Sequence, residues 1–109
     1  MQRIAFQLRI RADRIAEYDE SHQHVWPELL RELERFGVTE YSIFRRGQRL
    51  VLYLRVPDFK QLMTELAASE VNQRWQKKME PLFEPVDDLM PGESIAMMHE
   101  VFYMPGVSS

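Results

Sequence analysis

The stretch Tyr18-Asp19-Glu20-Ser21-His22-Gln23-His24-Val25-Trp26-Pro27-Glu28-Leu29 holds the residues best suited to chemistry. At helical spacing Ile15, Tyr18, His22, Trp26, Leu29, Leu33 and Phe36 fall on one stripe, in steps of three or four. His22 interrupts an otherwise apolar row, and Tyr18 stands one turn before it. A group that titrates near neutral pH can both give and take a proton, and imidazole is the side chain that ordinarily does so. The same placement also suits a core histidine satisfied by one buried partner.

The other candidates divide between chemistry and packing. His24 falls on roughly the opposite face of the helix and is expected in solvent. His99 shares a strand face with Met97, Val101 and Tyr103, a place for packing or an interface. His22 and His24 diverge on a helix, so no shared metal is expected. Trp75, in Asn72-Gln73-Arg74-Trp75-Gln76-Lys77-Lys78-Met79, fits a core or a stacking platform for a sugar, with Arg74 and Gln76 offering donors beside it. Tyr41 is either an aromatic sheet residue or a pocket hydroxyl. The chain has no Gly-rich phosphate loop and no Gly-x-Ser-x-Gly elbow.

These residues need elements to hold them. Ile4, Phe6, Leu8 and Ile10 alternate with Ala5, Gln7 and Arg9, which predicts a first strand. Asp13 is placed to cap the helical region that follows. That region runs to about Phe36, with Gly37 as its stop and a break near Val25-Trp26 forced by Pro27. Thr39–Phe44 and Leu50–Val56 read as strands around the polar loop Arg45-Arg46-Gly47-Gln48-Arg49. Asp58–Ala67 and Glu70–Met79 read as helices, 84–93 as a loop, and Ile95–Met104 as a last strand. Residues 1–105 then form one domain, and 106–109 a disordered tail.

The order β-α-β-β-α-β is ferredoxin-like: an α+β fold with an antiparallel sheet and helices on one face. The uncovered face keeps apolar groups, Tyr53 with either Tyr41 and Ile43 or Ser42 and Phe44. An exposed apolar face of this kind predicts a homodimer with the two sheets packed face to face.

Composition narrows the function. The 109 residues carry a net charge of −3, with arginines interleaved among acids, so nucleic acid is not an expected partner. The absence of cysteine excludes disulfides, thiolate metal sites and thiol nucleophiles, and fits a cytoplasmic location. No stretch approaches the roughly 20 apolar residues of a membrane span.

Four groups of residues, taken together, carry a family resemblance. Tyr18-x-x-x-His22-x-x-x-Trp26-Pro27-Glu28-Leu29, Tyr41-x-Ile43, Gln73-Arg74-Trp75 and Glu100-Val101-Phe102-Tyr103-Met104-Pro105 resemble the L-rhamnose mutarotase family. The matches keep their order and span nearly the whole chain, from Ala5-Phe6 to Pro105. The resemblance implies a dimeric α/β ferredoxin-like barrel that interconverts the α and β anomers of a pyranose. It implies that His22 is the proton donor and that Tyr18, Tyr41 and Trp75 contact the sugar. The position after the tryptophan is often a second tryptophan in that family. Here it is Gln76, a departure that bears on whether the 6-deoxy sugar is L-rhamnose or L-fucose.

The chemistry fits these residues. Ring opening needs a proton at the ring oxygen and one removed from the anomeric hydroxyl, and closing needs the reverse. No electron sink, hydride carrier or metal is required, so no cofactor is expected. Three other readings compete: a cofactor-free monooxygenase or haem-handling enzyme of the same fold, a non-catalytic sugar-binding module, and a dimeric structural protein.

Overall fold

Alternating side chains build β1 over Gln2–Ile10, with Phe6 and Ile10 buried on one face. The computed structural model describes residues 1–106; the rest of the expected tail, 107–109, lies outside the described residues. β1 pairs antiparallel with β3, Arg49–Val56, from Gln2 opposite Val56 to Arg9 opposite Arg49. β2, Glu40–Arg46, pairs with β3 from Glu40 opposite Arg55 to Arg46 opposite Arg49. The strands therefore run further than the sequence suggests, and only Gly47-Gln48 remain to turn the hairpin. Gly47 makes that turn possible with φ +58°.

Helices cover one face. The expected break at Pro27 is present: α1 spans Ile15–Gln23 and α2 spans Pro27–Arg35, with Pro27 opening α2, where a missing N–H costs nothing. Gly37, at φ +97°, ends the region. α3, Phe59–Ala68, is capped by Asp58 Oδ1, which accepts from Gln61 N at 3.1 Å. α4, Glu70–Met79, is capped by Ser69 Oγ, which accepts from Asn72 N at 3.2 Å. Asp13 does not cap α1. It lies inside a 3-10 turn at Ala12–Arg14 and accepts instead from Arg11 Nε at 3.3 Å.

Two further short strands flank β1 on the edge away from β3. β4, Phe83–Glu84, pairs with Arg9 and Ile10, and β5, Ala96–Met97, pairs with Phe6 and Gln7. The sheet order is β2-β3-β1-β4, with β5 also beside β1, so the fold is ferredoxin-like and β2 is a free edge.

The last strand is far shorter than expected over Ile95–Met104. The final ladder-like bond is Met98 N donating to Ala5 O at 2.8 Å. Beyond it, side chains hold the segment. Arg3 donates to Glu100 through Nε and Nη2, both at 2.9 Å, and its guanidinium lies 3.3 Å from the Tyr103 ring centroid. Val101, Phe102 and Met104 project from this segment, 88%, 79% and 73% exposed. His99 is exposed and belongs to no strand.

The core lies between sheet and helices. Leu50, Leu52, Leu54 and Val56 of β3 meet Tyr18, Leu29, Leu62, Trp75 and Met79. Tyr41 and Ile43 pair with Leu54 and Leu52 and so share their helix-facing side. Ser42 and Phe44 accordingly join Tyr53 on the uncovered face, where Phe44 is 64% exposed.

Candidate active site

The break before Pro27 decides where His22 stands. It ends α1 just after the imidazole, so His22 occupies the last turn of a short helix that packs across the sheet. The ring is half-buried. Its Nδ1 lies 3.0 Å from the Tyr18 carbonyl oxygen one turn back. A carbonyl can only accept, so Nδ1 carries the hydrogen and Nε2 is the nitrogen left for the cleft.

Aromatic rings fix the imidazole on two sides. Tyr18 stacks on it at 4.1 Å between centroids and 27° between planes. Trp75 meets it edge-on at 5.5 Å and 80°. Trp26, from the break itself, meets Trp75 at 5.1 Å and 82°. Tyr18 is anchored in turn by Phe83 at 5.9 Å. The stripe of α1 and α2 thus delivers His22 into an aromatic frame of fixed geometry.

Two adjoining hollows of about 310 and 380 Å³ open beside this frame, a size that suits a small organic ligand. Both are lined by His22, Tyr41, Asn72, Trp75 and Gln76, with Ile43 and Leu66 as apolar wall. Tyr18 lines only the inner hollow. The structure therefore brings His22, Tyr18, Tyr41, Trp75 and Gln76 to one cleft, with Tyr18 at its floor. Trp75 is both core and wall: it is 5% exposed, yet borders both hollows. A larger hollow of about 490 Å³ lies on the uncovered face among Gln7, Arg9, Arg46 and Arg49, and none of the five residues borders it.

Burial acts on the phenols. It pushes the Tyr18 hydroxyl well above the usual tyrosine value, and nearby Tyr41 and Asp19 add to the effect. It pushes Tyr41 up to about 12. Tyr41 as a whole keeps 40% exposure on the edge strand. Both groups stay protonated at neutral pH. They can donate hydrogen bonds to a ligand but are not phenolate bases.

Sequence reasoning missed Asn72. It precedes Trp75 by three residues and Gln76 by four, and that spacing put it on their face of α4. Its Nδ2 donates to Leu66 O at 3.1 Å, and its Oδ1 accepts from Gln76 Nε2 at 3.4 Å. The two carboxamides are the polar part of the α4 wall. His24 is exposed at the end of α1 and does not border the cleft. Arg74 points to the surface, toward Glu28 at 3.5 Å and the Trp26 ring at 5.7 Å.

Comparison with known proteins bears on the activity. A family model described as L-rhamnose mutarotase matches residues 3–104. The chain is 36% identical over 107 residues to the L-rhamnose mutarotase of Bacillus subtilis, covering 95% of this chain and 99% of that protein. The crystal structure of an L-rhamnose mutarotase from Formosa agariphila superposes with a TM-score of 0.77 at 28% identity, covering 96% of this chain and all of the other. A putative antibiotic biosynthesis monooxygenase from Nitrosomonas europaea, at 11% identity and a TM-score of 0.60, shares the fold alone.

Proposed function

The chain belongs to the L-rhamnose mutarotase family, isomerases acting on carbohydrates, and on that premise we propose that it interconverts the α and β anomers of L-rhamnose with His22 as the proton donor. The observation that carries the assignment to His22 is its tethered Nδ1. With that nitrogen donating to the Tyr18 carbonyl, Nε2 exchanges protons with whatever occupies the cleft.

The steps follow. The protonated imidazole gives its Nε2 proton to the ring oxygen. The bond from that oxygen to C1 breaks, the anomeric hydroxyl proton leaves to water in the cleft, and an aldehyde results. The chain turns about C1–C2, the ring oxygen attacks the other face of the carbonyl and returns its proton to Nε2, and the carbonyl oxygen takes a proton back from water to become the new anomeric hydroxyl. General acid–base help of about 10²–10⁴-fold is the order such a group supplies. Trp75 offers an apolar wall to the sugar's C–H surface, and Tyr41, Asn72 and Gln76 offer hydrogen bonds to its hydroxyls. Tyr18 holds the imidazole by stacking and places a protonated hydroxyl at the floor.

The test is anomer exchange by saturation-transfer NMR on L-rhamnose, L-fucose and L-mannose. Exchange above the buffer rate, fastest on L-rhamnose, is expected. Faster exchange of L-fucose assigns the enzyme to that sugar instead, and no acceleration on any of them overturns the proposal. Sugar binding without acceleration points to the non-catalytic module.

We also place the chain in the cytoplasm as a homodimer with sheets face to face. The exposed Phe44, Val101, Phe102 and Met104 support the dimer. None of the helices among the described residues is long and apolar enough to cross a membrane. Sedimentation equilibrium at twice the monomer mass of 13.1 kDa is expected, and a monomer at tens of micromolar overturns the dimer. Recovery in the membrane fraction overturns the location.

A further inference from the structure

The cleft has two opposed walls that no backbone hydrogen bond joins: α1, with Tyr18 and His22, and β2, with Tyr41. One side-chain link spans them. Arg45 donates to Asp19 through Nε to Oδ1 at 2.7 Å and through Nη2 to Oδ2 at 2.6 Å. Among the described residues this is the hydrogen-bonded connection between α1 and β2. Paired guanidinium–carboxylate bonds fix orientation as well as distance.

Position explains what the link can set. Tyr41 and Arg45 leave the same face of β2, because they pair with the inward-facing Leu54 and Leu50. Asp19 follows Tyr18 directly and precedes His22 by three residues, so it shares the last turns of α1 with both. Arg45 Nη1 also donates to Gly47 O at 3.1 Å, which ties the guanidinium to the hairpin turn. The ring–ring contacts of α1 with other elements lead elsewhere: Tyr18 to Phe83, His22 to Trp75 on α4. The beginning of α1 has no side-chain cap.

We propose that the Asp19–Arg45 pair is a positioning strap that sets the gap between the His22 wall and the Tyr41 wall, so that acid and hydroxyl reach one sugar together. The proposal rests on the mutarotase reading for its kinetic consequence but not for its geometry. Neither residue borders the hollows, so the strap acts through His22 and Tyr41 and not on substrate. Arg45 holds the Asp19 carboxyl below its usual range, which keeps the pair ionised at neutral pH.

The test is polarimetry on freshly dissolved α-L-rhamnose with Asp19→Asn, Arg45→Gln, the double variant and the charge swap Asp19→Arg/Arg45→Asp. An error of about 1 Å in placement is worth up to 10²-fold, so each single variant is expected to lower kcat by about tenfold. KM should rise by a smaller factor than kcat falls, since Trp75, Asn72 and Gln76 stay in place and only the Tyr41 contact is displaced. The double variant should be no slower than either single one, and the swap should recover most of kcat. A plain surface ion pair predicts unchanged kcat, and that result overturns the proposal, as does multiplication of the two single losses in the double variant.

A second measurement needs no activity. NOEs from the Tyr18 and His22 rings to Tyr41, recorded without sugar, should weaken in Asp19→Asn while those from His22 to Trp75 persist. Unchanged NOEs overturn the strap even if the enzyme turns over. An inactive natural chain whose NOEs behave as expected removes the mutarotase reading and leaves the strap standing.

Discussion

Replacing His22 by alanine separates the chemical from the structural share of this residue. The imidazole contributes a stack on Tyr18 at 4.1 Å, an edge contact with Trp75 at 5.5 Å and a hydrogen bond to the Tyr18 carbonyl at 3.0 Å. Aromatic pairs are worth about 0.5–1.5 kcal/mol each. A neutral hydrogen bond adds about 1 kcal/mol. The ring is only half-buried, so the low ends apply, and the loss sums to about 2 kcal/mol. A domain of this size is stable by about 5–15 kcal/mol, so the variant folds. Its Tm falls by about 4–8 °C per kcal/mol lost. The loss in rate is of another order, about 10²–10⁴-fold, or about 3–5 kcal/mol of barrier. Saturation-transfer NMR on L-rhamnose reads the rate, and a thermal melt reads the stability. His22→Gln is the control, because its amide can still donate to the carbonyl. It should recover part of the Tm and none of the rate. Exchange within twofold of the natural chain refutes His22 as the acid. An unmoved Tm refutes the framed, tethered imidazole.

Trp75→Ala should cost about 3–5 kcal/mol and weaken sugar binding, while Trp75→Phe should restore most of the stability before the affinity. Calorimetry and melts separate the two, and unchanged sugar affinity in the alanine variant returns Trp75 to a purely structural role. Between about pH 7 and 10 the two phenols leave stability level, and toward pH 12 it should fall. Above 10 the unfolded chain releases phenolic protons that buried Tyr18 and Tyr41 retain. Urea titrations at pH 9, 10 and 11 check the slope, and a Tyr18→Phe/Tyr41→Phe chain should lose most of it. Gly37→Ala should destabilise by about 1 kcal/mol or more, because the position sits at φ +97° and a new Cβ would lie 3.1 Å from the Pro57 ring. A Tm equal to that of the natural chain contradicts this.

Much of the site was legible in the order of residues. Period 3.6 placed Tyr18, His22 and Trp26 on one face, and Pro27 marked where the helix must break, because both follow from local backbone geometry. Period 2 told which residues of β2 share a face, but not which face is covered; only the register against Leu52 and Leu54 decides that. The short β5 was not legible either. Ile95–Met104 has strand composition throughout, yet its hold on β1 passes to Arg3, Glu100 and Tyr103 after Met98, and side-chain anchoring of this kind leaves no periodic signal. Asp13 looked like a cap because acids near helix starts often are, but the intervening 3-10 turn moved the helix start past it. The Asp19–Arg45 link joins positions 26 apart, and no local pattern announces it.

The free edge of the sheet also has a bearing on solubility. β2 ends the sheet with its outer row of backbone groups unpaired, and an edge of that kind is a template on which further strands can stack into fibres. Its sequence Glu40-Tyr41-Ser42-Ile43-Phe44-Arg45-Arg46 carries charges at both ends of the strand. A second molecule adding antiparallel, residue against residue in register, would set Ser42 near Phe44 harmlessly but bring Glu40 against Arg46, a permitted contact. Parallel addition would instead stack Arg45 on Arg45 and Arg46 on Arg46, a repeat that repels along the whole growing filament. The edge thus discourages parallel, in-register stacking, while antiparallel pairing of two edges stays open.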